Sequence, residues 1–263
     1  MLSIDSNTAG DLFLRHIALI LAPWGLLVIL WYAIAYSGLI NPALVPTPHA
    51  VAAQFQDLLF NGRLLRDIAM STQRVALGVS LGITAAVPVG FMLGWYKDVR
   101  RFIDPLINFF RALPPIALIP LVIVYFGIGE IAKVAILFYA TFFAGVIVMY
   151  EGVAQISPIF VKVSRTLGAT DAEIFRKVIF PLTIPHILTA LRVALGVAWA
   201  TLVASELIAA QQGLGAMIQN ASSFFQLDII YVGIICIGFI ALAMDVLLRR
   251  LSKRLVAWQD RIE

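Results

Sequence analysis

KVSRTLGATDAEIFRKVIFPLTIP, residues 162–185, is a short polar stretch between two long apolar ones, and its punctuation organises the whole chain. Just upstream, Ser157 followed by Pro158 is an N-cap with proline in the first helical turn. The helix they start ends at Gly168, the residue best suited to a left-handed C-terminal position. A second start follows at once. Thr170 with Glu173 three positions on is a capping box, Asp171 suits the positive end of a helix, and Arg176 and Lys177 suit the other end. Pro181 is expected to close this second helix. The spacing therefore predicts two short helices joined at a glycine, with Ile174, Phe175, Val178 and Ile179 as an apolar face to pack inward and a tip free to dock a partner.

What flanks this stretch decides the class of protein. A helix crossing the hydrocarbon core needs about 20 mostly apolar residues. Six such runs are expected, at 17–36, 75–96, 112–129, 134–150, 187–210 and 229–248, leaving 151–185 as a loop of a single domain over 1–263. The composition agrees. Of 263 residues, 61% are hydrophobic and 13% charged, with a mean hydropathy of +0.95, whereas a soluble domain carries about 25% charged residues. A soluble fold is excluded, and so are disordered, collagen-like and disulfide-scaffold classes, since apolar residues dominate and there is one Cys. The chain is read as an all-α polytopic membrane protein with six transmembrane helices. The first run is read as a retained span rather than a signal peptide, despite small residues at Ala33 and Ala35. Asp5, Asp11 and Arg15 give it a net negative flank where a signal needs positive charge.

Orientation follows from the basic residues. With six spans, the N-terminus, the 97–101 loop, the 151–185 segment and the C-terminal tail share one side, and they hold thirteen of the nineteen Lys and Arg residues. Arg63, Arg66, Arg74 and Lys133 belong to the other side, and Arg111 and Arg192 lie near the span ends. The positive-inside rule puts the first set, with both termini, in the cytoplasm. The formal charge of +4 then reflects topology, and no nucleic-acid partner is implied. Outside the spans, residues 51–69 read as an amphipathic external helix pair broken at Asn61 and Gly62. The tail from Asp245 to Trp258 alternates Arg249, Arg250, Lys253 and Arg254 with leucines, a pattern that an anionic inner leaflet attracts. Pro114, Pro115 and Pro120 break the start of the third span, which must face protein rather than lipid.

Charged and polar groups inside the spans are weighed two ways. Glu206 sits toward the external half of the fifth span, where a carboxylate is costly unless paired or wetted; it is either a gate or pathway residue or a helix-to-helix hydrogen bond. Trp199, Thr201 and Ser205 share its helix and read either as pathway-lining or as ordinary packing. Tyr139, Phe142 and Phe143 are core aromatics or a hydrophobic gate. Asp104, Arg111 and Asp245 read as interfacial groups paired with neighbours or water. His16, His49 and His186 lack metal spacing and Cys236 is alone, so no metal site or nucleophile is indicated. No G-x-x-x-x-G-K-[ST] occurs, so the sequence carries no phosphate-binding loop and ATP chemistry has to come from another polypeptide. One six-helix bundle is thin for enclosing a polar path, which favours pairing about a two-fold axis.

The quoted stretch resembles the cytoplasmic loop of permease subunits of ATP-binding-cassette importers, with pattern E-A-A, three residues, G, nine residues, I-x-L-P. Gly168, Val178 and Pro181 fall at that spacing. Lys162 stands where the family has Glu, Val163 and Ser164 replace the two Ala, Val178 replaces Ile and Phe180 replaces Leu. RALPPIALIPLVIVYFGIGE (111–130) and VASELIAAQQGLGAMIQNASSFFQLDIIYVGI (203–234) resemble the nitrate, sulfonate, taurine and bicarbonate branch, the taurine permeases above all. The resemblance implies a type I importer transmembrane domain in a bacterial inner membrane, and a coupling helix drawn from Arg165, Thr166, Leu167, Gly168, Ala169, Thr170, Asp171, Ile174, Phe175 and Pro181. It also implies two ATPase subunits that bind ATP and Mg, no cofactor in this chain, a second copy of the permease, a periplasmic solute-binding protein and surrounding lipid. The chain itself is expected not to be an enzyme. Its expected task is alternating-access import of a small sulfonate such as taurine. The rivals are a secondary transporter driven by an ion gradient with Glu206 as its proton or sodium site, and a membrane-embedded enzyme, for which no His, Asp or Ser constellation is present.

Overall fold

The computed structural model describes residues 6–38, 41 and 44–256; Asp5, Trp258 and Arg261 lie outside them. All regular structure among the described residues is helical. The helices run α1 (Ser6–Tyr36), α2 (Pro48–Phe60), α3 (Arg63–Trp95), α4 (Lys97–Ala112), α5 (Pro115–Phe126), α6 (Glu130–Ala154), α7 (Pro158–Thr166), α8 (Asp171–Ile174), α9 (Phe180–Ala209), α10 (Leu214–Ser223) and α11 (Leu227–Leu255).

The centre is the pair α3 and α6. Small residues recur every fourth position along α3, at Gly78, Gly82, Ala86, Gly90 and Gly94, and place one bare stripe on one helix face. A methyl added at Gly78, Gly82, Gly90 or Gly94 would overlap Leu137, Thr141, Met149 or Val153 of α6 in turn. Between lipid-soluble helices there is little hydrophobic drive to associate, and such close backbone approach supplies the dispersion contact instead. Thr141, fully buried, donates its hydroxyl to the carbonyl of Leu137 at 2.8 Å and lies 3.0 Å from that of Gly78. The third wall is α9, whose Ala190, Ala194 and Ala198 are fully buried, again four apart. A core from Val75 through Leu137 and Met149 to Trp199 and Leu202 joins the three helices.

Around this trio the remaining helices are looser. α1 leans on α11 through Trp31 stacked on Tyr231 at 5.3 Å and Trp24 on Phe239 at 6.0 Å, while Leu19, Leu26, Ile29 and Leu30 face outward. The amphipathic region after residue 51 is α2 plus the first turns of α3; the chain turns at Gly62 (φ 68°), and the second half of the expected pair runs without a break into the span. The tail likewise prolongs α11 to Leu255.

Two expectations need correction. The third span, expected over 112–129, is shorter: α5 occupies 115–126 of it and is bent off α4 at its start. α4 and α5 meet at 92° through Leu113 and Pro114, because two consecutive prolines remove the N–H groups that would continue α4. α5 is 12 residues long, about 18 Å at 1.5 Å per residue, too short to cross alone. The second correction concerns Pro181, which does not end a helix. Residues 175–179 form a single π-helical turn, with the Phe180 N–H bonded to the carbonyl of Phe175, and the chain continues into α9. Widening the turn absorbs the proline's missing donor without breaking the rod. The result is one apolar helical run of 38 residues, Asp171–Ile208.

Candidate functional site

The quoted segment forms a knob at one end of the bundle. Ser157 caps α7, its side chain accepting from the Ile159 N–H at 3.4 Å. At the other end Gly168 adopts φ +81°, its N–H reaches the Arg165 carbonyl at 3.0 Å, and the Ala169 N–H reaches that of Ser164 at 3.0 Å. That bonding is a Schellman stop, which uses up carbonyls the helix end would leave bare. The predicted capping box is present. Thr170 accepts from the Glu173 N–H at 3.4 Å, and the Glu173 carboxylate accepts from the Thr170 N–H at 3.1 Å. Arg165 bridges to Asp171 at 3.0 Å, tying α7 to α8 across the glycine.

The knob has two faces. Ile174 and Ile179 are buried in the main core with α3, α6 and α9, and Phe175 meets Phe91 edge-on at 5.3 Å. α7 has no fully buried residue and touches the core only through the partly buried Val161. Its Ile159, Phe160 and Val163 are exposed, and Leu167 is 82% exposed. Four exposed apolar side chains thus stand together on a doubly capped element, the kind of patch that marks interaction sites.

At the far end of the same rod stands Glu206, among the most buried side chains of the protein. Arg74 of α3 donates Nη1 to its Oε1 at 2.6 Å, the Ser71 hydroxyl lies 2.9 and 3.0 Å from its two oxygens, and the Gly215 N–H reaches Oε2 at 2.8 Å. Arg74 also grips Glu130 of α6 with both ends of its fork at 2.6 Å, and Glu130 takes Lys133 at 2.8 Å. The same Nη1 reaches the Gln212 carbonyl at 2.7 Å. Asp67 accepts from the Gly213 N–H at 2.8 Å, and the Ser71 oxygen accepts from the Leu214 N–H at 2.9 Å.

Three consecutive N–H groups at the start of α10 are thus taken by three side chains, two of them carboxylates at the positive end of the helix. Gly213, at φ +125°, is what brings this backbone against Glu206 and Arg74. Arg74 and Lys133 face Glu130 and Glu206, with Glu130 half-exposed at the rim, and buried Asp67 beside them has Arg63 at 3.9 Å, so the cluster as a whole is balanced and the buried Glu206 is paired and hydrogen-bonded. Of the expected alternatives for Glu206, the geometry found is the helix-to-helix bond, extended into a clasp over α3, α6, α9 and α10. Sequence reading missed Asp67, Ser71, Arg74, Glu130, Lys133 and α10 itself. The visible signal was the isolated Arg74 and Lys133 beside apolar runs.

The other span residues separate. Trp199 lies in the core, and its indole N–H has no hydrogen-bond partner among the described residues. Thr201 and Ser205 are buried too, with Ser205 donating to the Leu202 carbonyl at 2.8 Å. None of the three joins the Glu206 clasp through its side chain. Tyr139 and Phe143 stand elsewhere, half-buried at the α4–α5 bend. The Tyr139 hydroxyl donates to the Phe110 carbonyl, and Phe143 packs on Tyr139 at 4.8 Å, Phe142 at 5.0 Å and Phe110 at 5.7 Å. Near the knob, Asp245 pairs with Arg192 at 2.8 Å and with Arg249.

Among the described residues four helices are long and apolar enough to cross a membrane, or five counting the bent pair α4–α5 as one, and this helical bundle with its capped knob has clear relatives. Residues 78–257 match the family described as the binding-protein-dependent transport system inner membrane component. A probable ABC transporter permease of Brucella abortus is 44% identical over 88% of this chain and 91% of its own length. The taurine transport system permease of Escherichia coli is 34% identical over 95% and 92%, and a putative aliphatic sulfonates transport permease of Bacillus subtilis is 30% identical over 90% and 86%. Among solved structures, an inward-facing MetNI methionine ABC transporter superposes with TM-score 0.68 at 18% identity, covering 75% of this chain and 98% of that one. A bacterial transporter that imports alginate gives 0.65 at 14%, covering 92% and 97%. The chain belongs to the inner-membrane components of binding-protein-dependent transport systems, with the fold of a type I ABC importer transmembrane domain. Within them it is an ABC importer permease of the branch that includes taurine, sulfonate and bicarbonate permeases, and ATP hydrolysis falls to separate subunits.

Proposed function

We propose that this chain passes taurine or a closely related small sulfonate inward across a bacterial inner membrane, as one half of a homodimer driven by two ATPase subunits that bind ATP and Mg. A periplasmic binding protein delivers the solute, and both termini face the cytoplasm with most of the basic residues. The observation that carries the mechanism is the unbroken 38-residue run from Asp171 to Ile208, with a docking knob at its start and the Arg74–Glu206 clasp at its end. At 1.5 Å per residue this rod is about 57 Å long. Closure of the ATPase pair pushes Leu167 and its neighbours on α7; Ile174 and Ile179 pass the displacement to α9, and the clasp makes α3, α6, α9 and the start of α10 move together. The α4–α5 elbow, joined by Leu113–Pro114 on one side and by Gly127 (φ 75°) on the other, is the part left to move against that body. Tyr139 and Phe143, half-buried at the elbow, are the pathway candidates that would move with it.

An ion-gradient carrier built on Glu206 is not favoured, because the carboxylate already serves Arg74, Ser71 and Gly215 and has no exposed surface. The solute assignment leans on the taurine permease of Escherichia coli, similar over nearly the whole chain. Its test is uptake of labelled taurine by the reconstituted importer with its own binding protein, challenged with methanesulfonate, nitrate and bicarbonate. Saturable taurine uptake that only sulfonates compete for supports the reading. Uptake of bicarbonate or nitrate with taurine inert would move the protein to another member of the branch.

A further inference from the structure

Between α9 and α11, beside the knob, lies an open cleft of about 480 Å3 lined by Pro185, His186, Arg192, Arg249 and Lys253 among others. Three permanent cations meet one carboxylate there. Asp245 takes Arg192 through Nε at 2.8 Å on one oxygen and Arg249 on the other. Among the described residues, the Nη groups of Arg192 and Nη1 of Arg249 have no hydrogen bond and Lys253 has no ion pair. Thr189 and Ser252, also in the lining, spend their hydroxyl protons on the carbonyls of Pro185 at 3.0 Å and Leu248 at 2.8 Å, so the cations are the donors on offer. The cleft has a net charge of +2 before any contribution from His186, and an apolar side made by Pro185, Leu188 and Val256. Its position is also specific. α11 is free of charge from Ile229 to Met244, and Asp245 is where it leaves the apolar zone. The cleft therefore opens at the level of the lipid headgroups, on the side that carries most basic residues.

We propose that this cleft binds a phosphate-bearing anion, its oxygens held by Arg192, Arg249 and Lys253 so that the anion bridges α9 to the end of α11. Guanidinium forks and an ammonium match phosphate oxygens, and a basic pocket between membrane helices is a site for anionic headgroups. The phosphate is carried either by a phospholipid, whose chains would lie along the apolar side, or by a soluble anion. The inference is independent of which solute the importer carries.

The test uses the detergent-solubilised permease with its ATPase subunits, followed by thermal unfolding as dioleoylphosphatidylglycerol, dioleoylphosphatidylcholine or inorganic phosphate is titrated in. Wild type and two exposed-residue variants are compared: Lys253→Gln in the cleft, and Arg250→Gln on the same helix but outside it. Losing one cation contact at a membrane surface, about 1 kcal/mol, raises half-saturation about five-fold. That rise is expected for phosphatidylglycerol in Lys253→Gln and not in Arg250→Gln. If inorganic phosphate shows the same pattern, the source is a soluble anion; if only phosphatidylglycerol does, it is the lipid. Equal effects in both variants, an equal response to phosphatidylcholine, or no response at all would overturn the site.

Discussion

Replacing Glu206 by Gln keeps the shape of the side chain and removes its charge, and the structure fixes what that should cost. Removing one partner of a buried ion pair costs about 3–5 kcal/mol, because the other charge stays buried. Here Arg74 keeps its two-pronged grip on Glu130, and the Gln carbonyl can still accept from the Gly215 N–H. The loss should fall at the low end, about 3 kcal/mol. Glu206→Ala also strands the Gly215 N–H and the Ser71 hydroxyl, each about 1 kcal/mol or more, so it should be clearly worse than Gln. Equilibrium unfolding in mixed micelles reads both, and a double-mutant cycle with Arg74→Gln should show a coupling of about 2 kcal/mol, as for contacting charged residues. A Glu206→Gln protein as stable as wild type, with uptake that has lost a strong pH dependence, would refute the clasp and restore the ion-site reading.

Gly168→Val forces a β-branched residue to φ +81°, a strain of about 1–2 kcal/mol; nothing stands where its Cβ would go. The bundle should stay folded while solute-stimulated ATPase activity of the complex collapses. Leu167→Asp, at an 82% exposed position, should leave thermal stability of the permease unchanged and weaken its co-purification with the ATPase. Gly82→Leu drives a side chain into Thr141 and the backbone of Phe142; overpacking of this kind costs about 3 kcal/mol or more where backbone must move, and expression of folded protein should fall sharply.

The knob was legible because its signals are local. Ser157, Gly168, Thr170 and Glu173 each act within a few residues, and each appears in the structure in the role its type dictates. Pro181 was misread because a proline's missing donor has two remedies, ending the helix or widening one turn, and tertiary packing of Ile174 and Ile179 selects the second. The elbow shows the same limit in another form. Pro114 and Pro115 announce a break, and only packing sets its angle.

The clasp lay beyond reach for a different reason. Arg74 and Glu206 are 132 residues apart, and no spacing rule joins them; a lone cation beside an apolar run reads equally well as a loop charge. The bare stripe on α3 is an intermediate case. Its four-residue period is written in the sequence, yet which helix it admits is decided by the complementary positions of α6. Trp199, Thr201 and Ser205 shared a helix with Glu206 without sharing its environment, since a helix turns a new face every residue.

The central claim is that energy enters through the knob and from ATP. The most direct measurement is solute uptake into proteoliposomes holding the permease, its ATPase subunits and its binding protein, with ATP supplied or withheld and with an imposed proton or sodium gradient. Uptake that requires ATP, ignores the gradient and disappears in Gly168→Val is the predicted result. Uptake by the permease alone, driven by the gradient and unaffected by Gly168→Val, would contradict it.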